Sequence, residues 1–348
     1  MDNTPFVSIV IPCLNEAKNI REVLDSILDQ DYPTDHIDVL IADGLSQDGT
    51  REIVREYSLR HPLIRLEDNP TRSQSIAMNI GIEQARGEII MRMDAHTTYP
   101  SDYVSSCVQA LAEHDADIVG GMWNIVPQEN TLFGRGAALA IAHRFGAGNA
   151  YYKTGPVTEP RQVSGVPYGA YRKTFIEEIG GYDERFHRSE DAELYNRVTA
   201  SGGKILLVPG VVCDYRVRAS LTSFSKHVFD NGFLVTYFLR FGKLAFYPRH
   251  LVPLAFVTTV LGSAALSPLH PVFLLLLTAA LGSYGLASLL VSVQISAAQK
   301  DLRYLAVMPV VFAVLHWSFG IGSLYGLFRA LASGDLWRGV WSLGRGAG

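Results

Sequence analysis

The sequence is short of cysteine and short of charge. Its three cysteines, Cys13, Cys107 and Cys213, are odd in number and far apart. Neither a disulfide framework nor a metal-binding spacing can be built from them, which fits a reducing compartment, and Cys13 reads as a small apolar side chain in a buried strand. Charged residues make up only 18% of the 348 positions, and acidic side chains outnumber basic ones by 34 to 30. No basic stripe is present, which excludes a general nucleic-acid binder. The first residues, MDNTPFVSIVIPCLNE, lack a basic run, and their apolar stretch is too short for a secretory leader. The first domain is therefore expected to remain in the cytosol.

The shortage of charge is local, because charged residues concentrate before Leu251. Up to about Tyr215 short apolar runs alternate with amphipathic segments. Strands are predicted at Val7–Ile11, Val39–Ala42, Glu88–Met93, Ile118–Gly120 and Ile205–Val208. One helix places Ile20, Val23, Leu24, Ile27 and Leu28 on a single face. A second follows Asp48-Gly49-Thr50, with Asp48 or Thr50 as its cap, and a third spans Ser73–Gln84 with Ile76, Ala77 and Ile80 inward. This alternation predicts an α/β fold whose sheet is mainly parallel with helices on both faces. Ligands of such sheets lie outside the carboxyl ends of the strands.

Beyond Leu221 the character changes. Phe224–Phe241 mixes Lys226, His227, Asp230 and Arg240 with many aromatics, as an amphipathic helix in a membrane interface does. Three apolar segments follow, Leu251–Ser267, Val272–Val293 and Tyr304–Phe328, and about 20 apolar residues suffice to span a bilayer. The expected organisation is a cytosolic domain over 1–220, an interfacial region over 221–250 and a membrane region over 251–348. The Leu266–Pro271 turn carries no Lys or Arg and reads as external, whereas Lys300 and Arg303 read as internal. Three crossings would then export a tail holding Arg329, Arg338 and Arg345, against the usual charge rule. The number of crossings stays open, as does whether Ala137–Ala142 meets protein or lipid.

Three acidic clusters stand at strand or helix ends. In Gly87–His96, GEIIMRMDAH, an apolar strand delivers Asp94 and His96 two residues apart, able to share one face and hold a divalent cation with a diphosphate. Imidazole tilts the metal toward Mn2+ over Mg2+, although His96 could instead touch phosphate. Pro12-Cys13-Leu14-Asn15-Glu16 ends the first strand. Asp43 ends the second, within Asp43-Gly44-Leu45-Ser46-Gln47-Asp48-Gly49-Thr50, where a carboxylate can accept a uracil N–H and Gly44 lets a backbone approach a ligand. In Arg188-Ser189-Glu190-Asp191, Ser189 reads as a helix cap and the acids suit a first helical turn.

PxxNE after the first strand, DGxSxDGT after the second, a DxD-like triplet and a later Glu-Asp pair occur here in order. In this the chain resembles the family 2 glycosyltransferases over roughly Val7–Leu221. Met93–His96, Phe145–Gly148, Pro167–Arg172, Gly180–Glu184 and Ser189–Leu194 resemble most the succinoglycan-biosynthesis glucosyltransferase type. The resemblance implies the GT-A fold, a nucleotide-diphosphate sugar donor and a divalent cation. It implies that Pro12, Asn15, Glu16 and Asp43 line a uridine pocket, that Arg72 stands near base or phosphates, and that Asp94 and His96 hold metal and diphosphate. Asp191 would be the general base of an inverting transfer, with Glu190 beside it. Tyr168 and Gly169 would flank the acceptor, unless that stretch is a bent strand closely packed at glycine. Arg216 and Arg218 would meet either the diphosphate or lipid head groups.

Two departures from the family pattern stand out: Leu14 replaces a commoner aromatic, and His96 a second Asp. The QxxRW signature of processive synthases is absent, which favours adding one sugar at a time. The expected activity is hexose transfer from a UDP-sugar to a polyprenyl-diphosphate-linked saccharide at the inner membrane. Transfer to a polyprenyl phosphate, a non-catalytic scaffold and a nucleotidyltransferase remain the rival readings.

Overall fold

Segments such as Ile37–Asp43, buried at every position, have no solvent face and form interior strands. The computed structural model describes residues 4–155, 157–187, 189–241 and 247–333. It divides into two units, Met1–Asn124 with Gly155–Tyr215, and Ile125–Thr154 with Arg216–Gly348. The division differs from a boundary at residue 220, because Ile125–Thr154 groups with the C-terminal half.

Eight strands are present among the described residues: β1 (Val7–Cys13), β2 (Ile37–Asp43), β3 (Ile64–Asp68), β4 (Ile89–Arg92), β5 (Ile118–Pro127), β6 (Arg161–Gln162), β7 (Ala170–Arg172) and β8 (Ile205–Val217). They form one sheet in the order β3-β2-β1-β4-β7-β5-β8-β6. β3, β2, β1 and β4 are parallel, while β7 runs antiparallel to both β4 and β5. The parallel expectation thus holds for the first four strands, and the sheet is mixed beyond them. β3 was not foreseen; it is a short edge strand whose residues Arg65 and Glu67 dilute its apolar character.

Side chains alternate across this sheet. Val7, Ile9 and Ile11 of β1 join a core with Ile20, Val23 and Leu24 of one helix and Tyr103, Val104 and Cys107 of another. Val10 points the other way, against the helix Gln74–Gln84. A Cβ on Gly81 of that helix would stand 2.2 Å from Val10 Cγ1. Close approach at Gly81 turns the helix so that Ala77, Met78 and Ile82 are buried, leaving Ile76 and Ile80 only half-buried. In register, Cys13 pairs with Asp43 and Asp43 with Asp68, so these strands finish together and their following loops share one edge.

The second unit contains three helices long and apolar enough to cross a membrane, Pro248–Leu266, Pro271–Gln299 and Tyr304–Ala332. The latter two have 29 residues each. At about 1.5 Å per residue that exceeds a hydrocarbon core of about 30 Å. Leu274, Leu275, Leu286, Leu289 and Leu290 are exposed on the middle helix, as lipid-facing residues are. Arg338 and Arg345 lie outside the described residues. The short helix Leu132–Ala142 places Gly136 against Val307 and Val311, so this apolar segment meets protein.

The helix Leu221–Tyr237 departs from a purely interfacial role. Its Phe224, Val228, Gly232 and Val235 are buried, and Thr236 donates to the Ser323 carbonyl at 2.6 Å. Close packing comes from glycines four apart: Cβ atoms on Gly322 and Gly326 would each fall 2.2 Å from a carbonyl oxygen, of Phe229 and Phe233 respectively. Small residues at this spacing let helix backbones touch. Gly326→Leu should therefore lower the melting temperature in detergent by the equivalent of about 1–3 kcal/mol. Gly285→Leu, where a Cβ meets nothing within 4 Å, should leave it unchanged. Equal melting of the two variants would refute this packing.

Candidate active site

The crevice at the strand ends begins with a proline. Pro12 pairs with Ala42 of β2, whereas pairing with β4 already stops at Val10 and Arg92. A missing N–H is tolerated there because β1 has no partner strand on that side. The loops after β1 and β2 are then laced by side chains onto backbone. Asn15 N–H donates to Ser46 Oγ at 2.7 Å, Glu16 N–H to Thr50 Oγ1 at 2.8 Å, and Ala17 N–H to Asp48 Oδ2 at 3.0 Å. Gln47 N–H returns a bond to Asn15 Oδ1 at 3.0 Å. Asn15 itself adopts φ +56, which asparagine accepts better than most residues.

The helix-cap expectation is revised here. Gly49, at φ +98, is the residue in the N-cap position, while Asp48 accepts the Thr50 N–H at 3.1 Å without being the cap. Asp43 is wholly buried. Its Oδ1 accepts from Ser46 N–H at 2.9 Å and Arg51 Nη1 at 2.8 Å, and its Oδ2 from Ser46 Oγ at 2.6 Å. A bond to a base would have to share Oδ2 with the Ser46 hydroxyl. Leu14 and Leu45, 40% and 36% exposed, supply apolar surface beside this loop, and a Cβ on Gly44 would stand 3.0 Å from Leu14. Arg72, at φ +58, is exposed and a Gly44 Cβ would lie 3.4 Å from its Cγ, so it borders the same rim.

At the end of β4 stands a residue that the sequence reading overlooked. Arg92 is 5% exposed, and its Nη1 donates to Glu190 Oε1 at 2.9 Å and contacts Asp191 Oδ1, while Nε reaches Asp94 Oδ1 at 3.3 Å. One guanidinium thus gathers the acidic clusters of Asp94 and of Glu190–Asp191. Its signal in the sequence was a lone arginine inside an apolar strand, Ile89-Ile90-Met91-Arg92. The helix Glu190–Ala200 supplies the partners. Ser189 occupies its N-cap at φ +59 without a side-chain cap bond, so the capping expectation holds in position only. Arg188 lies outside the described residues.

Glu190 and Asp191 differ in access. The Glu190 side chain is 4% exposed, against 33% for Asp191 and 16% for Asp94. Burial pushes the Glu190 carboxyl up, and the neighbouring Asp191 charge adds to this against the pull of Arg92. Asp191 is raised as well, by burial and then by Asp94, with Arg92 and Tyr182 opposing. Tyr182 belongs to a buried hydroxyl cluster, with Tyr171 Oη 3.0 Å from Tyr182 Oη and 3.1 Å from Tyr195 Oη. Arg197 fastens the Gly180–Glu184 turn by donating to the Ile179 and Gly181 carbonyls, at 2.8 and 2.6 Å.

Asp94 and His96 leave β4 on one loop. The Asp94 N–H donates to Tyr99 Oη at 2.7 Å, and His96 Nδ1 lies 3.3 Å from Glu16 Oε1. A carboxylate on Nδ1 orients an imidazole for ligation through Nε2. Among the described residues no three His, Cys, Asp or Glu side chains gather as a ready metal cage. The donor set still fits a hard divalent ion: one carboxylate, one imidazole, and three acids set against the single charge of Arg92. Cys13, Cys107 and Cys213 are buried with their thiols pushed up by burial, so none is a nucleophile.

Comparison with known proteins follows this geometry. Residues 8–179 match Glycosyl transferase family 2. The succinoglycan biosynthesis protein ExoA of Rhizobium meliloti (strain 1021) is 34% identical over 227 residues, covering 64% of this chain and 67% of that protein. The chain belongs to glycosyltransferase family 2. It is also similar to the dolichyl N-acetyl-alpha-D-glucosaminyl phosphate 3-beta-D-2,3-diacetamido-2,3-dideoxy-beta-D-glucuronosyltransferase of Methanococcus voltae, at 25% identity over 95% of this chain and 98% of that one. A solved mannosyltransferase, PcManGT from Pyrobaculum calidifontis in complex with GDP-Man and Mn2+, shares the fold with a TM-score of 0.55 and 23% identity over 97% of this chain and 88% of that one. The fold is GT-A.

Within this family 2 transferase, the expected acceptor-side residues separate. Tyr168 is 5% exposed at φ +45, its ring enclosed by Tyr99 and Trp123 and its hydroxyl 3.1 Å from Thr97 Oγ1. It is therefore a core residue and not a crevice wall. Gly169 serves packing: a Cβ there would stand 3.0 Å from Tyr171, and its carbonyl accepts the Arg92 N–H at 3.0 Å. Arg216 and Arg218 are exposed and belong to the second unit, as does Phe145–Gly148, whose Phe145 carbonyl lies 2.9 Å from His316 Nε2.

Removing Arg92 strands buried carboxylates. Arg92→Leu should destabilise the protein by about 3–5 kcal/mol near pH 8. The folded-state pKa of Glu190 is raised, so the folded protein binds the proton more tightly than the unfolded chain does. Stability tied to that proton is present at low pH and lost as pH rises through the raised pKa. The deficit of the variant should accordingly shrink when melting is repeated near pH 5. A deficit independent of pH would show that Arg92 does not act by charge compensation.

Proposed function

We propose that this family 2 transferase is a membrane-bound, metal-dependent, inverting enzyme. It moves a hexose, glucose first among candidates, from a UDP-sugar to a hydroxyl of a lipid-linked saccharide in exopolysaccharide or cell-surface glycan synthesis. The observation that carries this reading is the meeting of Asp94, Glu190 and Asp191 on the buried Arg92, at the carboxyl edge of the sheet.

The roles follow from access and charge. Asn15, Glu16, Asp43 and Pro12 shape the wall for the nucleoside, with Leu14 and Leu45 offering apolar surface and Arg72 a cation for the phosphates. Asp94 and His96 would hold the divalent ion, Mn2+ or Mg2+, which when bound offsets the charge of the departing diphosphate. Asp191, the more exposed of the two helix acids, accepts the proton of the acceptor hydroxyl as its oxygen attacks the anomeric carbon. Glu190 stays beneath it and fixes Arg92. Support for a lipid-linked acceptor comes from two directions. A relative aligned along nearly the whole chain is named for transfer to a dolichyl phosphate-linked sugar. Three helices here are also long and apolar enough to cross a membrane. The catalytic unit then faces the cytosol beside the inner membrane, where the search for acceptor is two-dimensional and Arg216 and Arg218 can meet lipid head groups.

Thermal denaturation in detergent with UDP, GDP or CDP, each with and without Mn2+, tests the donor class. Ligands that bind only the folded state raise the melting temperature by mass action. A rise confined to UDP with Mn2+ and absent in Asp94→Asn is expected; a rise with GDP alone would reassign the donor. Asp191→Asn should keep that rise yet lose about 10²–10⁴-fold in turnover, the usual worth of a general base. Retained turnover would point instead to a polyprenyl phosphate acceptor, an anion that needs no base.

A further inference from the structure

A second concave site lies in the same unit as the acidic cluster, and the roles assigned so far do not use it. It is a cleft of about 560 Å³ whose lining includes Thr98, Tyr99, Trp123, Asn124, Val212 and Asp214. That volume lies within the range of small-molecule sites. Trp123 of β5 is stacked on Tyr215 of β8, ring centroids 3.9 Å apart and planes 7° from parallel. The indole is thereby held in one orientation, which lowers the entropy lost when a ligand packs on it. Beside it Asn124 Nδ2 donates to Asp214 Oδ1 at 2.7 Å. This pair leaves an amide oxygen, a second amide hydrogen and a carboxylate oxygen for further bonds.

An aromatic plate next to an amide–carboxylate pair has a definite chemical complement. A pyranose presents axial C–H bonds on its faces and hydroxyls around its rim, so one face packs on indole while the rim exchanges hydrogen bonds with amide and carboxylate. A diphosphate does not suit the cleft, because Asp214 would repel it. The cleft is tied to the transfer site through Tyr99, which forms its wall and whose hydroxyl accepts the Asp94 N–H at 2.7 Å.

We infer that this cleft binds a pyranose ring of the acceptor saccharide, face-on to Trp123 and edge-on to Asn124 and Asp214. The inference rests on the transferase reading above and gives its acceptor a binding site. Trp123, Asn124 and Asp214 are then specificity residues, distinct from those that move the proton.

Saturation-transfer NMR on the full chain, in an amine-oxide detergent free of sugar, with methyl β-D-glucopyranoside and methyl β-cellobioside as probes and UDP with diamagnetic Mg2+ at saturation, tests this. The expected result is saturation of the H1, H3 and H5 protons, which share one face of the ring. It should be lost in Trp123→Leu and in the double variant Asn124→Ala/Asp214→Ala, while the nucleotide-dependent rise in melting temperature stays at the wild-type value in the second variant. No transfer in the wild type, or transfer undiminished in the Asn124/Asp214 variant, would overturn the inference. Absence of any nucleotide effect in the wild type would count against the catalytic reading alone, since the sugar signal is read separately.

Discussion

A guanidinium removed from water costs several kcal/mol unless its charge and its hydrogen-bonding groups are met, and Arg92 meets this demand with three carboxylates at once. The same contacts determine where those carboxylates are. Asp94 comes from the loop after β4, and Glu190 and Asp191 come from a helix nearly a hundred residues later. Without Arg92 these acids would repel one another within a poorly solvated space. With it they are held together carrying more negative charge than the arginine cancels. The surplus is the physical basis for reading the site as one that receives a cation together with a phosphorylated donor. A site of balanced charge would give such an ion no reason to enter.

The side of the crevice proposed for the nucleoside is ordered by another means. Hydroxyls and carboxylates of the second loop, Ser46, Asp48 and Thr50, accept N–H groups of the first, at Asn15, Glu16 and Ala17. Backbone donors that open onto the strand ends would otherwise depend on solvent. Their capture by side chains makes the two loops one surface, and Asp43 anchors it from below through Ser46 and Arg51. Glu16 extends that surface to His96, so the proposed nucleoside wall and the proposed metal ligand are coupled through the contact of Glu16 Oε1 with His96 Nδ1.

Much of this was readable from the chain because it follows from local pattern. Apolar strands ending in Asp43 and near Asp94, and a helix opening with Glu190 and Asp191, announce themselves by periodicity and by chemistry at the ends of elements. What escaped depends on contacts between distant segments. Arg92 is a lone charge in an apolar strand, and only the fold brings Glu190 to it. The family resemblance put Tyr168 beside the acceptor, yet Tyr99 and Trp123 close over it. The grouping of Ile125–Thr154 with the C-terminal half follows from Gly136 and Gly146, whose missing side chains admit Val307, Val311 and Leu315. A sequence reads such glycines as turns or breaks as readily as contacts.

Adjacent acids in one helical turn point in directions about 100° apart, since the α-helix has 3.6 residues per turn. That rotation is enough to give Glu190 and Asp191 different surroundings: one side chain is almost sealed against Arg92, while the other keeps a third of its surface open. In the proposed transfer a single acid could not both bury itself to position the guanidinium and stay accessible to an incoming hydroxyl. Two in succession divide the work, and the helix holds them in fixed relation because Tyr195, Leu194 and Val198 pack its inner face. The Tyr171–Tyr182–Tyr195 cluster then supports Asp191 through Tyr182. Proton acceptance from an acceptor hydroxyl requires this asymmetry: a carboxylate held firmly on one side and unobstructed on the other.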